Sequence, residues 1–114
     1  MGISDYHVVL HTSETLATDA AKKLDTFKLD KLVRGSRSVL AFRVKTDGRE
    51  AKLQMTLNNK QLLNETYVGP ERSWHQVVPA NTLQDDNNTL TLKRTAGLGE
   101  ITVSDIVLFY QRRS

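Results

Sequence analysis

The sequence predicts an all-β fold, an antiparallel β-sandwich of about eight short strands in two sheets. Three observations carry that expectation. Apolar and polar residues alternate through Leu40–Lys45, Ala51–Leu57 and Ile101–Ser104, the pattern of strands with one buried face. Pro, Gly, Asn and Asp part these runs at close intervals, as turns do. No internal repeat, low-complexity tract or linker interrupts the series, so residues 1–114 read as one domain.

Asp5 to His11 is rich in β-branched and aromatic residues and reads as the first strand. From Thr12 to Lys23 the alternation dissolves into a loop, with a helical turn expected at Ala20–Lys23. Asp25 to Leu29 alternates again, with Phe27 and Leu29 on one face. Ser38 to Lys45 follows the break at Gly35-Ser36. Thr46-Asp-Gly-Arg49 carries an Asp-Gly hairpin signal, so Ser38–Lys45 and Ala51–Leu57 are expected to pair. Asn58-Asn59 turns the chain into Gln61–Tyr67. Ser73–Val78 is a strand ended by Pro79, and Asn81–Asn88 is a turn-rich crossing. Thr89–Lys93 and Glu100–Gln111 close the domain through Thr95–Gly99. The expected core is Phe27, Leu29, Leu40, Phe42, Val44, Leu53, Met55, Leu57, Val78, Leu90, Leu92, Ile101, Val103 and Val107.

Composition narrows the function classes. An apolar fraction of 39% belongs to a globular chain, and the absence of cysteine removes disulfide and thiol chemistry. No apolar run is long enough to span a membrane, and the N-terminus lacks the pattern of a secretory signal. Residues 20–60 hold 11 Lys or Arg against 4 Asp or Glu, a balance of +7, while the remainder balances at −4, giving the net +3. Such segregation suits an anionic partner, or self-association of unlike faces. Nucleic acid is a poor partner, because Phe27 and Phe42 are the only aromatics in the basic segment and both sit at core positions.

The hairpin signal before Ala51–Asn59, the Trp74…Pro79…Asp86-Asn-Asn-Thr-Leu-Thr-Leu92 stretch and the final Ile101–Tyr110 run together resemble the galactose-binding-like β-sandwich, or jelly-roll, superfamily. The resemblance spans roughly Thr26 to Tyr110. It implies a jelly-roll and a lectin-like, non-catalytic carbohydrate-binding role. Many members of that superfamily carry a structural calcium, and Asp105 matches the last-strand acid that holds it, so a calcium at Asp105 is an expectation of the resemblance.

The residues offer no catalytic set. His75 and Asp105 lack a marked serine nucleophile or a glycine-lined oxyanion loop. Asp85 and Asp86 are adjacent in a turn, whereas glycoside hydrolysis needs carboxyls facing each other across the substrate. His7 and His11 lie four apart on a strand, too far to share one metal ion, and are expected on the solvent side. The expected ligand face is the outside of the central hairpin. Arg43 and Lys45 would stand beside Lys52 and Gln54, with Arg49 at the turn, and Trp74 or Tyr67 would supply a stacking ring. The alternative is a structural or assembly module that forms homo-oligomers, or binds another protein, through faces of opposite charge.

Overall fold

The computed structural model describes residues 2–113. It contains β1 (Gly2–Leu16), β2 (Lys22–Lys23), β3 (Ser38–Thr46), β4 (Ala51–Leu57), β5 (Lys60–Tyr67), β6 (Arg72–Val78), β7 (Leu90–Gly97) and β8 (Ile101–Arg113). Two four-stranded antiparallel sheets, β1-β8-β3-β6 (sheet A) and β2-β7-β4-β5 (sheet B), form the sandwich. The buried positions of β3 (Leu40, Phe42, Val44) face those of β4 (Leu53, Met55, Leu57) across one core. Leu90, Leu92, Ile101 and Val103, all 0% exposed, complete its centre.

Four local expectations are corrected. The first strand runs on through Thr12 to Leu16, because bulges between Val8 and Ser13 keep it in register with β8. Lys22–Lys23 is a short edge strand on β7 rather than part of a helical turn. The segment around Phe27 makes a single bridge to Asn88 instead of a strand, yet Phe27 and Leu29 are buried as expected. Val107 is not in the core. Asp105 adopts φ 51° and bulges β8, which resets the alternation so that Ile106, Leu108 and Tyr110 turn inward.

The largest correction concerns β3 and β4, which belong to different sheets. The Asp47–Glu50 connection crosses from sheet A to sheet B, and Leu98–Glu100 crosses back between β7 and β8. The two crossings lock together: Asp47 N–H donates to the Glu100 carbonyl (3.2 Å) and Gly99 N–H to the Glu50 carbonyl (3.0 Å). Backbone comes so close that a Cβ on Gly97 would overlap the Glu50 carbonyl, at a φ of 94° that only glycine adopts freely. At the opposite end of β4, Asn58 (φ 50°) and Asn59 (φ 69°) make the tight hairpin turn to β5. Paired left-handed residues are what a two-residue loop needs to match strand twist.

Candidate functional site

The expected ligand face is dispersed by this topology. Arg43 and Lys45 lie outside sheet A, Lys52 and Gln54 outside sheet B, so the core separates the two pairs. Arg43 contacts Glu71 at 3.5 Å. Arg49 is held at the crossing by Asp47 at 2.7 Å, and that guanidinium, with the backbone of Arg49 and Glu100, keeps the Asp47 carboxyl well below the usual range. Gln54 Nε2 donates to the side-chain Oε1 of Gln61 at 2.8 Å.

The two proposed stacking rings are used internally. Tyr67 is 3% exposed, and Trp74, half-buried on β6, meets it edge to face with centroids 5.2 Å apart. The pair closes the side of the sandwich where the edge strands β5 and β6 approach. Burial pushes the Tyr67 phenol well above its ordinary pKa, and its hydroxyl has no hydrogen-bond partner among the described residues. His7 also departs from expectation: its ring stacks on Phe27 at 5.0 Å.

Asp105 is exposed, and its evident role is to turn the bulge. Calcium takes six to eight oxygen ligands, usually with several carboxylates. Among the described residues no three His, Cys, Asp or Glu side chains gather as a metal centre, so a calcium at Asp105 would have to draw its other ligands from backbone and amide carbonyls.

What the structure does assemble is a polar groove at the Asn58–Asn59 end of sheet B. Lys23, Thr56, Asn58, Asn59, Gln84, Asn87, Thr89 and Thr91 line a volume of about 320 Å³. Every lining side chain except Lys23 is a neutral amide or hydroxyl, able to donate and accept. Cross-strand pairing accounts for much of it, since Lys23, Thr91 and Thr56 are consecutive partners on β2, β7 and β4.

The far wall is set by a buried amide. Asn88 is 0% exposed, and its side chain donates to the carbonyls of Gln84 (2.7 Å) and Phe27 (3.2 Å). Its Oδ1 accepts from Gln84 N–H (2.9 Å) and from Asn58 Nδ2 (2.8 Å). Asn58 in turn accepts from Thr89 N–H and donates to the Thr82 carbonyl. These two asparagines brace the loop and the hairpin against each other. Asn59, Gln84 and Asn87, all exposed, are left to meet a ligand, although Gln84 Nε2 already donates to the Asn87 carbonyl. Sequence reasoning identified these asparagines only as turn formers. The signal it lacked was the Asn58–Asn88 contact, made across 30 residues.

The outside of sheet A is of another kind. Tyr6, Phe109, Val39 and Val77 are consecutive cross-strand partners on β1, β8, β3 and β6, and form an apolar rung across the whole sheet. Tyr6 is 62% and Phe109 48% exposed. Val8, Val107, Ala41 and His75 make the next rung.

No family model matches the chain, and no curated protein matches it. Solved structures do. A dimeric latent PorU from Porphyromonas gingivalis superposes with a TM-score of 0.80 at 10% identity, over 97% of this chain and 13% of that one. This chain therefore spans a small part of PorU. The CBM36-1 domain of a multidomain xylanase, from the hindgut metagenome of Trinervitermes trinervoides, gives 0.62 at 10% identity, over 94% of this chain and 96% of the domain. A carbohydrate-binding module CBM36 in complex with calcium and xylotriose gives 0.56 at 12% identity, over 96% and 98%. These likenesses establish the fold, a jelly-roll β-sandwich.

Proposed function

We propose that this chain is a non-catalytic carbohydrate-binding module that holds a polar or acidic glycan in the groove at the Asn58–Asn59 end of sheet B. The observation that carries the reading is the groove's lining, made of amides, hydroxyls and one ammonium. A sugar presents hydroxyls that both donate and accept, and amide and hydroxyl side chains offer both capacities in return. The carbohydrate-binding modules of the same fold support the class of ligand.

The residues would divide the work. Asn59, Gln84 and Asn87 reach the ligand from two loops, while Thr56, Thr89 and Thr91 offer hydroxyls or amide-flanked backbone from the floor. Asn58 and Asn88 hold those loops in place before binding, so less conformational freedom is lost when the ligand arrives. Each such hydrogen bond contributes about 1 kcal/mol net, so recognition builds up from several modest contacts. The two carboxylates of the loop between Gln84 and Asn87 are otherwise engaged: Asp85 with Arg34 at 3.0 Å, and Asp86 with the Asn87 N–H at 2.8 Å. They turn to separate partners, which suits binding rather than hydrolysis.

Affinity electrophoresis against neutral and acidic polysaccharides tests the reading. The double variant Asn59→Gly/Gln84→Ala, in which glycine keeps the left-handed turn, is expected to lose retention while melting normally, whereas Trp74→Ala is expected to act through stability. Retention unchanged in the groove variant would refute the site, and folded protein that no glycan retains would refute the function.

A second reading, assembly of homo-oligomers, is favoured by one observation, the exposed apolar rung Tyr6–Phe109–Val39–Val77 outside sheet A. It expects a concentration-dependent dimer in sedimentation that Phe109→Ser abolishes. A monomer at all accessible concentrations would eliminate it.

A further inference from the structure

Five ion pairs are present among the described residues, and arginine supplies the cation in every one. Arg112 approaches Asp5 at 3.0 Å, although the angle at Nε falls short of a hydrogen bond. The lysines are left over, and three of them share one surface. Lys23, Lys93 and Lys52 occupy outward positions on the neighbouring strands β2, β7 and β4.

Their arrangement follows from register. Lys23 pairs with Thr91, and Lys93 lies two residues further along β7. Lys93 pairs with Gln54, and Lys52 lies two residues further along β4 in the same spatial direction. With strands about 4.8 Å apart and two residues spanning about 6.8 Å, each step of this diagonal is about 8 Å at the backbone. The stripe starts in the groove at Lys23 and ends beside the sheet crossing.

The ground between the lysines is neutral and polar. Thr91, Thr56, Gln54, Gln61, Asn64 and Thr66 fill the outward positions. Among the described residues no Asp or Glu points outward from these four strands; Glu65 pairs with Leu53 and so lies on the other side of β5. No aromatic ring stands there to stack a base. Arg94, next to Lys93 along β7, is committed to Asp19 and to the Gly99 carbonyl.

We infer that this diagonal of Lys23, Lys93 and Lys52 is the docking track for a uronate-containing glycan chain, its carboxylates meeting the ammoniums and its hydroxyls the threonines and amides between them. The inference rests on the glycan reading of the groove and names the charge of its ligand. Charge complementarity carries it: the ammoniums are spaced singly, matching a chain with one carboxylate per sugar or two, while a densely sulfated chain or a nucleic acid calls for clustered charge or stacking rings.

The test compares polygalacturonate with its fully methyl-esterified form, which keeps the backbone and removes the charge. Binding is measured by affinity electrophoresis and calorimetry on the full chain, with folding checked by melting. Lys52→Gln/Lys93→Gln is expected to weaken polygalacturonate binding about tenfold, the sum of two exposed charge contacts. Arg43→Gln/Lys45→Gln on the other sheet should leave it unchanged. Equal binding of the esterified form, or an unaffected lysine variant, would overturn the inference. So would heparin or a single-stranded oligonucleotide binding more tightly through the same lysines. A neutral glycan retained while polygalacturonate is not would defeat this inference alone. Loss of all glycan binding by folded wild-type protein would defeat the groove reading with it.

Discussion

Tyr6, Phe109, Val39 and Val77 form one complete rung on the outside of sheet A, and Lys23, Thr91, Thr56 and Gln61 form its counterpart on sheet B. Both rungs arise from the same period-two alternation, and both sheets bury the same kind of apolar inner face. The outward residues alone differ. Sheet A offers surface that water solvates poorly, whereas sheet B offers hydrogen-bonding groups and a groove whose walls are braced by buried amides. The difference teaches that the scaffold sets where a ligand can lie and the solvent-facing half of the alternation sets what kind.

The sharpest way to break the contrast is to remove the brace. Asn88→Ala deletes four hydrogen bonds of a fully buried side chain and strands their partners, so urea unfolding should show a loss of about 3 kcal/mol together with loss of glycan retention. At the other end of the sandwich, Gly97→Ala forces a side chain against the Glu50 carbonyl at positive φ. A loss of about 2 kcal/mol is expected there, with binding retained once the protein is folded.

Smaller effects sharpen the comparison. Asn59→Gly/Gln84→Ala should weaken glycan binding about tenfold by calorimetry and leave the melting temperature nearly in place, because both side chains are exposed and glycine keeps the left-handed turn. Tyr6→Ser on sheet A should change stability by less than about 0.5 kcal/mol and glycan affinity not at all. Acid is expected to act at the crossing. Asp47 titrates lower in the folded chain than when unfolded, so its contribution is complete above the ordinary carboxylate range, near pH 4, and fades as pH falls toward its depressed value. A shallower acid limb in Asp47→Asn melting curves would show it.

Much of the fold was legible because burial writes itself into alternation. Leu40, Phe42, Val44, Leu53, Met55 and Leu57 are all buried as the pattern requires. Alternation cannot say whether two successive strands lie side by side or face each other, since both arrangements turn the same residues inward. That is why β3 and β4 read as a hairpin. The length of the connection held the clue: Asn58-Asn59 is a two-residue turn and makes a hairpin, whereas Asp47–Glu50 is longer and crosses between sheets. Val107 was misplaced because a bulge at Asp105 shifts the phase without any glycine to mark it. The groove was invisible for a different reason. Its residues are turn formers by type, and only tertiary contact brings Lys23, Asn59 and Gln84 to one cavity.

The central claim is that ligand recognition belongs to sheet B and its groove. Chemical-shift mapping with an isotopically labelled chain and a glycan that binds tests it most directly. The account predicts shifts in the side-chain amides of Asn59, Gln84 and Asn87 and in the backbone of Thr56, Thr89 and Thr91. Shifts confined to Tyr6, Val39, Val77 and Phe109 would contradict it and move the binding site to the outer face of sheet A.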